Sequence, residues 1–94
     1  MIKTWDDEAW EDYLYWRTQD KKTLRRINRL LKDIERSPYE GIGEPEALKH
    51  ELHGYWSRRI DETNRLVYRV EEGRLEISQC RTHYDKTHDQ RQRL

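Results

Sequence analysis

Apolar residues recur along this chain first at helical and then at strand spacing, and the change of period divides it near its middle. Ile2 to Trp5 is a short β-rich run. Asp6 or Asp7 stands where a helix can be capped, and the acidic residues that follow suit the positive end of its dipole. Trp10, Tyr13 and Leu14 then share one face of that helix. Asp20 is placed to cap a second helix in which Leu24, Ile27, Leu31 and Ile34 form an apolar stripe. Ser37-Pro38 stops it, because the residue before a proline is driven out of the helical region.

Tyr39 to Pro45 is a loop punctuated by Gly41, Gly43 and Pro45, followed by a segment with Glu46, Leu48 and Lys49 that reads as one helical turn. Beyond Gly54 three β-rich runs follow, Tyr55 to Ile60, Arg65 to Val70 and Arg74 to Thr82. Their turn signals are Asp61-Glu62-Thr63-Asn64 and Glu71-Glu72-Gly73, and turns that short join antiparallel neighbours. The expected fold is α+β with element order βααβββ, two N-terminal helices packed on one face of an antiparallel sheet. Residues 1–84 make the domain; Asp85 to Leu94 has no apolar periodicity and reads as a polar tail.

Composition fixes the scale. At 94 residues one core is expected, burying roughly two thirds of the unfolded surface. Charged residues make up 40% and hydrophobic ones 33%, close to a disordered composition, but four Trp and six Tyr supply the burial that a disordered segment lacks. Cys80 is the single cysteine, and no long apolar run occurs, so a cytoplasmic protein with no membrane association is expected. The formal net charge of zero hides unlike blocks, with seven cations against two acids in residues 21–36.

Two basic-aromatic clusters carry the candidate chemistry, Lys49 to Arg59 and Cys80 to Tyr84. Cleaving an RNA phosphodiester needs a base on the 2'-hydroxyl, an acid for the leaving oxygen and fixed positive charge on the phosphate. Strand alternation puts Arg65, Val67 and Arg69 on one face and Leu66, Tyr68 and Val70 on the other. Glu46 is a candidate base over the arginine face, Arg65 a phosphate ligand, and His83 a candidate acid, histidine titrating nearest neutrality. Spacing alone leaves open whether these groups form a site or a set of surface salt bridges. Tyr84 stacks on a base or finishes the core; spacing does not choose. His50 and His53 are three apart, with no further ligand pair, so neither a metal nor another cofactor is expected. Lys22, Arg25, Arg26, Arg29 and Lys32 crowd the polar side of the second helix, a density that suits a phosphate backbone.

Trp5, Trp10-Glu11-Asp12-Tyr13-Leu14-Tyr15-Trp16, Pro38-Tyr39-Glu40-Gly41, Pro45-Glu46, Leu48-Lys49-His50, Trp56-Ser57-Arg58-Arg59-Ile60, Arg65-Leu66-Val67-Tyr68, Cys80-Arg81 and His83-Tyr84 together resemble the YoeB family of the RelE-like superfamily over residues 1–84. The resemblance implies a RelE-like, microbial-RNase-like fold and a type II toxin, a ribosome-dependent endoribonuclease that cuts mRNA in the ribosomal A site. It implies a homodimer, neutralised by a YefM-like antitoxin, that meets the 70S ribosome and mRNA and reaches operator DNA only through the antitoxin complex. It assigns Glu46 as general base, Arg65 as phosphate-stabilising arginine, His83 as general acid and Tyr84 as the aromatic that orients substrate, with Lys49 and Arg59 as supporting cations. The family pattern closes near His83-Tyr84, whereas this chain continues through Leu94.

The expected chemistry is in-line attack of the ribose 2'-hydroxyl, leaving a 2',3'-cyclic phosphate or a 3'-phosphate. Two rivals share the fold: a non-nucleolytic toxin that blocks a protein such as gyrase, for which Glu46 and His83 are unnecessary, and a corepressor acting mainly in a DNA-bound toxin-antitoxin complex.

Overall fold

The computed structural model describes residues 1–81. The elements in order are β1 (Ile2–Trp5), α1 (Asp7–Gln19), α2 (Lys21–Arg36), β2 (Glu46–Ala47), a 3-10 turn (His50–Leu52), β3 (Trp56–Arg59), β4 (Arg65–Glu71) and β5 (Arg74–Gln79). The strands form one sheet in the order β1-β5-β4-β3-β2, in which β2 to β5 are antiparallel neighbours and β1 runs parallel to β5.

Both helices lie on one face, as expected for an α+β domain. The core joins Ala9 and Trp16 of α1, Ile27, Leu30, Leu31 and Ile34 of α2, and Leu66, Tyr68, Leu75 and Ile77 of the sheet. Leu30 extends the α2 stripe beyond the four residues that periodicity singled out, and Leu24 packs only partly against it. Asp20 caps α2 as expected, accepting from the backbone N–H of Lys22 and Thr23 and from the Thr23 hydroxyl. These bonds hold its carboxyl below the ordinary range, the Thr23 side chain first among them.

On α1 the inward positions are Ala9, Asp12 and Trp16, while Trp10 stays largely exposed, stacked on Tyr13 beside Trp5. Asp6 occupies the N-cap position of α1 but makes no capping bond with its side chain. That carboxyl turns to Glu76 and Ser78, and its burial together with the neighbouring carboxylate pushes its pKa up.

The helical turn expected from Glu46 to Lys49 is instead an edge strand. Glu46 pairs with Ser57 and Ala47 with Trp56, and the 3-10 turn begins only at His50. The last strand ends at Gln79 rather than Thr82. His83, Tyr84 and the tail 85–94 lie outside the described residues. Among the described residues no helix is long and apolar enough to cross a membrane.

Candidate active site

The sheet turns one face to the helices and the other away from them, and β3 shows how the sequence sorts its cations between the two. Trp56 and Arg58 point inward; Ser57 and Arg59 point outward, as the two-residue period of a strand requires. Arg58-Arg59 therefore is not one basic patch. Arg58 is fully buried and binds Asp33 at 2.7 Å, the carbonyls of Ile42 (2.8 Å), Ser37 (2.8 Å) and Glu40 (3.1 Å), and the Tyr68 hydroxyl (3.2 Å). It fastens the loop after α2 to the sheet, and that loop delivers Glu44 and Glu46.

On the outward face Arg65 and Arg59 sit directly opposite one another across β4 and β3. Opposed side chains on one face have Cβ atoms only about 5 Å apart, and like charges there repel, so the pair calls for anions. Two carboxylates flank it: Glu46 lies 3.7 Å from Arg65 and Glu44 lies 3.5 Å from Arg59. Arg65 also donates to the buried Ser57 hydroxyl at 2.9 Å. That hydroxyl fixes the guanidinium while leaving most of its donors free for a ligand. Ser57 is a support the sequence reading missed, since its pairing opposite Glu46 exists only because Glu46 lies in an edge strand rather than in a helical turn. The 3.7 Å pair is loose, and half of the Glu46 side chain is exposed. An exposed ion pair of this kind is worth little, so a phosphate can displace the carboxylate from Arg65.

The other expected residues divide. Lys49 is exposed at the start of the 3-10 turn that follows the Glu46 strand. Lys22, Arg25, Arg29 and Lys32 are exposed on α2, whose buried side faces the sheet, so they look away from Glu46 and Arg65. Arg26 differs from them: half-buried, it donates at 3.1 Å to the carbonyl of Arg59 and ties α2 to the end of β3. Among the described residues no group of three His, Cys, Asp or Glu side chains is arranged to hold a metal ion.

Farther along the same face, Arg69 lies 4.9 Å from the Tyr55 ring centre and grips Glu76 at 2.8 Å. Burial raises the Glu76 pKa, but the bonds from Arg69 and Asp6 outweigh it and hold the carboxyl below its ordinary range.

β5 ends beside the arginine-bearing strand. Gln79 pairs with Val67, two residues along β4 from Arg65, so the chain leaves the sheet heading toward Arg65. Cys80 is buried against α1, and burial, with nearby Asp12, pushes its thiol far up. It is a core residue.

Residues 5–84 match the family described as the YoeB-like toxin of bacterial type II toxin-antitoxin systems. Toxin YoeB of Escherichia coli K12 is 55% identical over 84 residues, 89% of this chain and 100% of that one. Among solved structures, a YoeB/ParE toxin from Agrobacterium tumefaciens aligns with a TM-score of 0.87 at 44% identity, covering 89% of this chain and 100% of that one. YoeB from Staphylococcus aureus, solved as a dimer and within a heterotetrameric YoeB-YefM complex, aligns with a TM-score of 0.84 at 47% identity, over 89% of this chain and 98% of that one. With the family matched over nearly the whole described chain and the fold matched in three dimensions, this protein belongs to the YoeB-like toxins of bacterial type II toxin-antitoxin systems.

Proposed function

We propose that the protein is a ribosome-dependent endoribonuclease that cuts mRNA in the decoding A site. The observation that carries this reading is the outward-facing Arg65-Arg59 pair with the Glu46 carboxylate at its edge. Two opposed guanidiniums offer a fixed seat for one scissile phosphate, and a carboxylate beside them is within reach of an adjacent ribose hydroxyl.

In the reaction Glu46 takes the proton from the 2'-hydroxyl as its oxygen attacks phosphorus in line. Arg65 and Arg59 neutralise the charge gathering on the phosphoryl oxygens, with Lys49 as a supporting cation. The P–O5' bond breaks, and His83 gives its proton to the departing 5'-oxygen while Tyr84 orients the nucleotide. The product is a 2',3'-cyclic phosphate, which water opens to a 3'-phosphate. No step calls for a metal. The ribosome contributes by holding the mRNA in attack geometry, which a site of so few groups does not impose alone. The partners that follow are a YefM-like antitoxin and a second copy of the chain, as with the S. aureus YoeB.

Mapping mRNA ends after adding the purified protein to a translating extract tests the reading. Cuts clustered at one codon position are expected, and Glu46→Gln or His83→Gln should each lower single-turnover cleavage on programmed ribosomes about 10² to 10⁴-fold. Intact mRNA, or variants that cut as fast as the native chain, would overturn it.

A further inference from the structure

Of the two carboxylates that flank the arginine pair, Glu46 has a task in the cleavage step and Glu44 has none. The fold nevertheless keeps Glu44 in an unfavourable conformation. Its φ is +50°, in the left-handed region that residues bearing a side chain avoid, and Pro45 follows it. A residue before proline is pushed toward extended backbone, so the turn is disfavoured twice over. Two anchors enforce it: the Gly43 carbonyl accepts from the Arg59 N–H at 2.7 Å on one side, and Glu46 pairs with Ser57 on the other. A glycine would make the same turn at less cost, but without a carboxylate beside Arg59. Strain maintained next to a functional group points to a use for the residue that bears it.

The cation that Glu44 meets is held ready as well. Both main-chain groups of Arg59 are engaged, its N–H by Gly43 and its carbonyl by Arg26 at 3.1 Å. Its guanidinium, 40% exposed, meets the Glu44 carboxylate at 3.5 Å, and the Glu44 side chain is 75% exposed. So long and open a pair is weak. It still places an anion on a guanidinium that faces a second one, Arg65, across the strands. A phosphate offers that pair more oxygens and a bidentate fit, which one long carboxylate contact does not match. The weaker anion then yields, and solvent is open to receive its side chain.

We propose that Glu44 is a built-in stand-in for the RNA phosphate on Arg59: it offsets the charge of the arginine pair in the free protein and competes with substrate for it. Glu44 thereby sets the affinity for RNA and the dependence of that affinity on salt. The inference rests on the phosphate seat of the proposed cleavage reaction and adds to it a residue that moves no proton.

Binding of a 2'-O-methyl RNA oligonucleotide, which presents the phosphate but has no hydroxyl to attack it, tests the assignment. Glu44→Gln keeps the shape and removes the charge. It should tighten binding about three- to tenfold, the effect of one unit charge about 4 Å away in water-like surroundings. The gain should fade from 0.1 M to 1 M salt, as the screening length drops from about 10 Å to about 3 Å. Glu44→Gly, which removes charge and strain together, should gain as much. In an Arg59→Gln background most of the gain should vanish, because the contested cation is gone. A gain by Gly alone would assign the effect to the backbone and overturn the proposal. So would an undiminished gain without Arg59, unaltered affinity for Glu44→Gln, or no binding by either chain. A native chain that leaves mRNA intact in a translating extract, while Glu44→Gln binds RNA more tightly, removes the cleavage reading and keeps this one. Native cleavage with no gain for Glu44→Gln does the reverse.

Discussion

Arg58 is the residue on which the site's backbone depends, even though it faces away from any substrate. One guanidinium, fully buried, gathers Asp33, three loop carbonyls and the Tyr68 hydroxyl. Removing one partner of such a pair leaves the others desolvated and unpaired, which typically costs about 3 to 5 kcal/mol. Arg58→Met should therefore lower the free energy of chemical unfolding by about that amount, although methionine fills much of the same volume. Asp33 adds a pH signature. Hydrogen bonding from Arg58 holds its carboxyl below the ordinary value of 3.8, so the stability it contributes is complete above that pH and is lost as pH falls through the lower folded value. The stability difference between the native chain and Asp33→Asn should accordingly be constant above pH 3.8 and shrink below it, followed by urea unfolding at stepped pH. The sequence announced a basic pair at Arg58-Arg59, and only strand alternation separates its members. Trp56 inward implies Arg58 inward, a step available in principle, but an arginine among Trp56, Tyr68 and Leu66 contradicts the usual solvent preference of its type and needs Asp33, 25 residues away in sequence, to make sense.

Among the elements, the connection from α2 to β2 decides where Glu46 stands. Gly43 has a φ of +82°, and its carbonyl accepts from the Arg59 N–H at 2.7 Å. A Cβ there would come within 2.9 Å of a Leu30 methyl and 3.2 Å of the Arg59 nitrogen. Gly43→Ala should destabilise the fold by more than about 1 kcal/mol and also slow cleavage, because relief of the clash must move Glu44 and Glu46; thermal unfolding and single-turnover assays read the two effects separately. Periodicity located the helices well, since each has several turns of signal and Asp20 marks a boundary. It failed at β2, where two residues are too few for alternation to register, and it was silent on which strands pair. β1 could be read as a strand but not as the parallel neighbour of β5, because pairing across 72 residues leaves no local mark in the sequence.

Across the whole molecule, about 30 × 30 × 23 Å, charge is divided between two surfaces. The Arg59-Arg65 pair occupies the sheet face turned from the helices, while Lys22, Arg25, Arg29 and Lys32 look outward from α2 on the other side. A partner that engages both has to reach around the protein, as a cleft built of RNA or an extended polypeptide can. Replacing those four α2 cations by glutamine should weaken ribosome binding and flatten its salt dependence, the log-log slope dropping by about 0.7 to 0.9 for each phosphate contact removed. A slope equal to that of the native chain would exclude α2 from the contact. The catalytic trio expected from sequence divides at the same scale. Glu46 and Arg65 are brought together by β2, β3 and β4, whereas His83 lies outside the described residues.

The parallel partnership of β1 with β5 has a consequence for the moment of synthesis. Ile2 through Trp5 leave a ribosome well before their neighbours Arg74 through Ile77 and can pair with them only once those have emerged too. Contacts so distant in sequence form late and slowly. Until then the nascent protein lacks the pairing of its outermost strand, so the five-stranded sheet is completed only after β5 has been made.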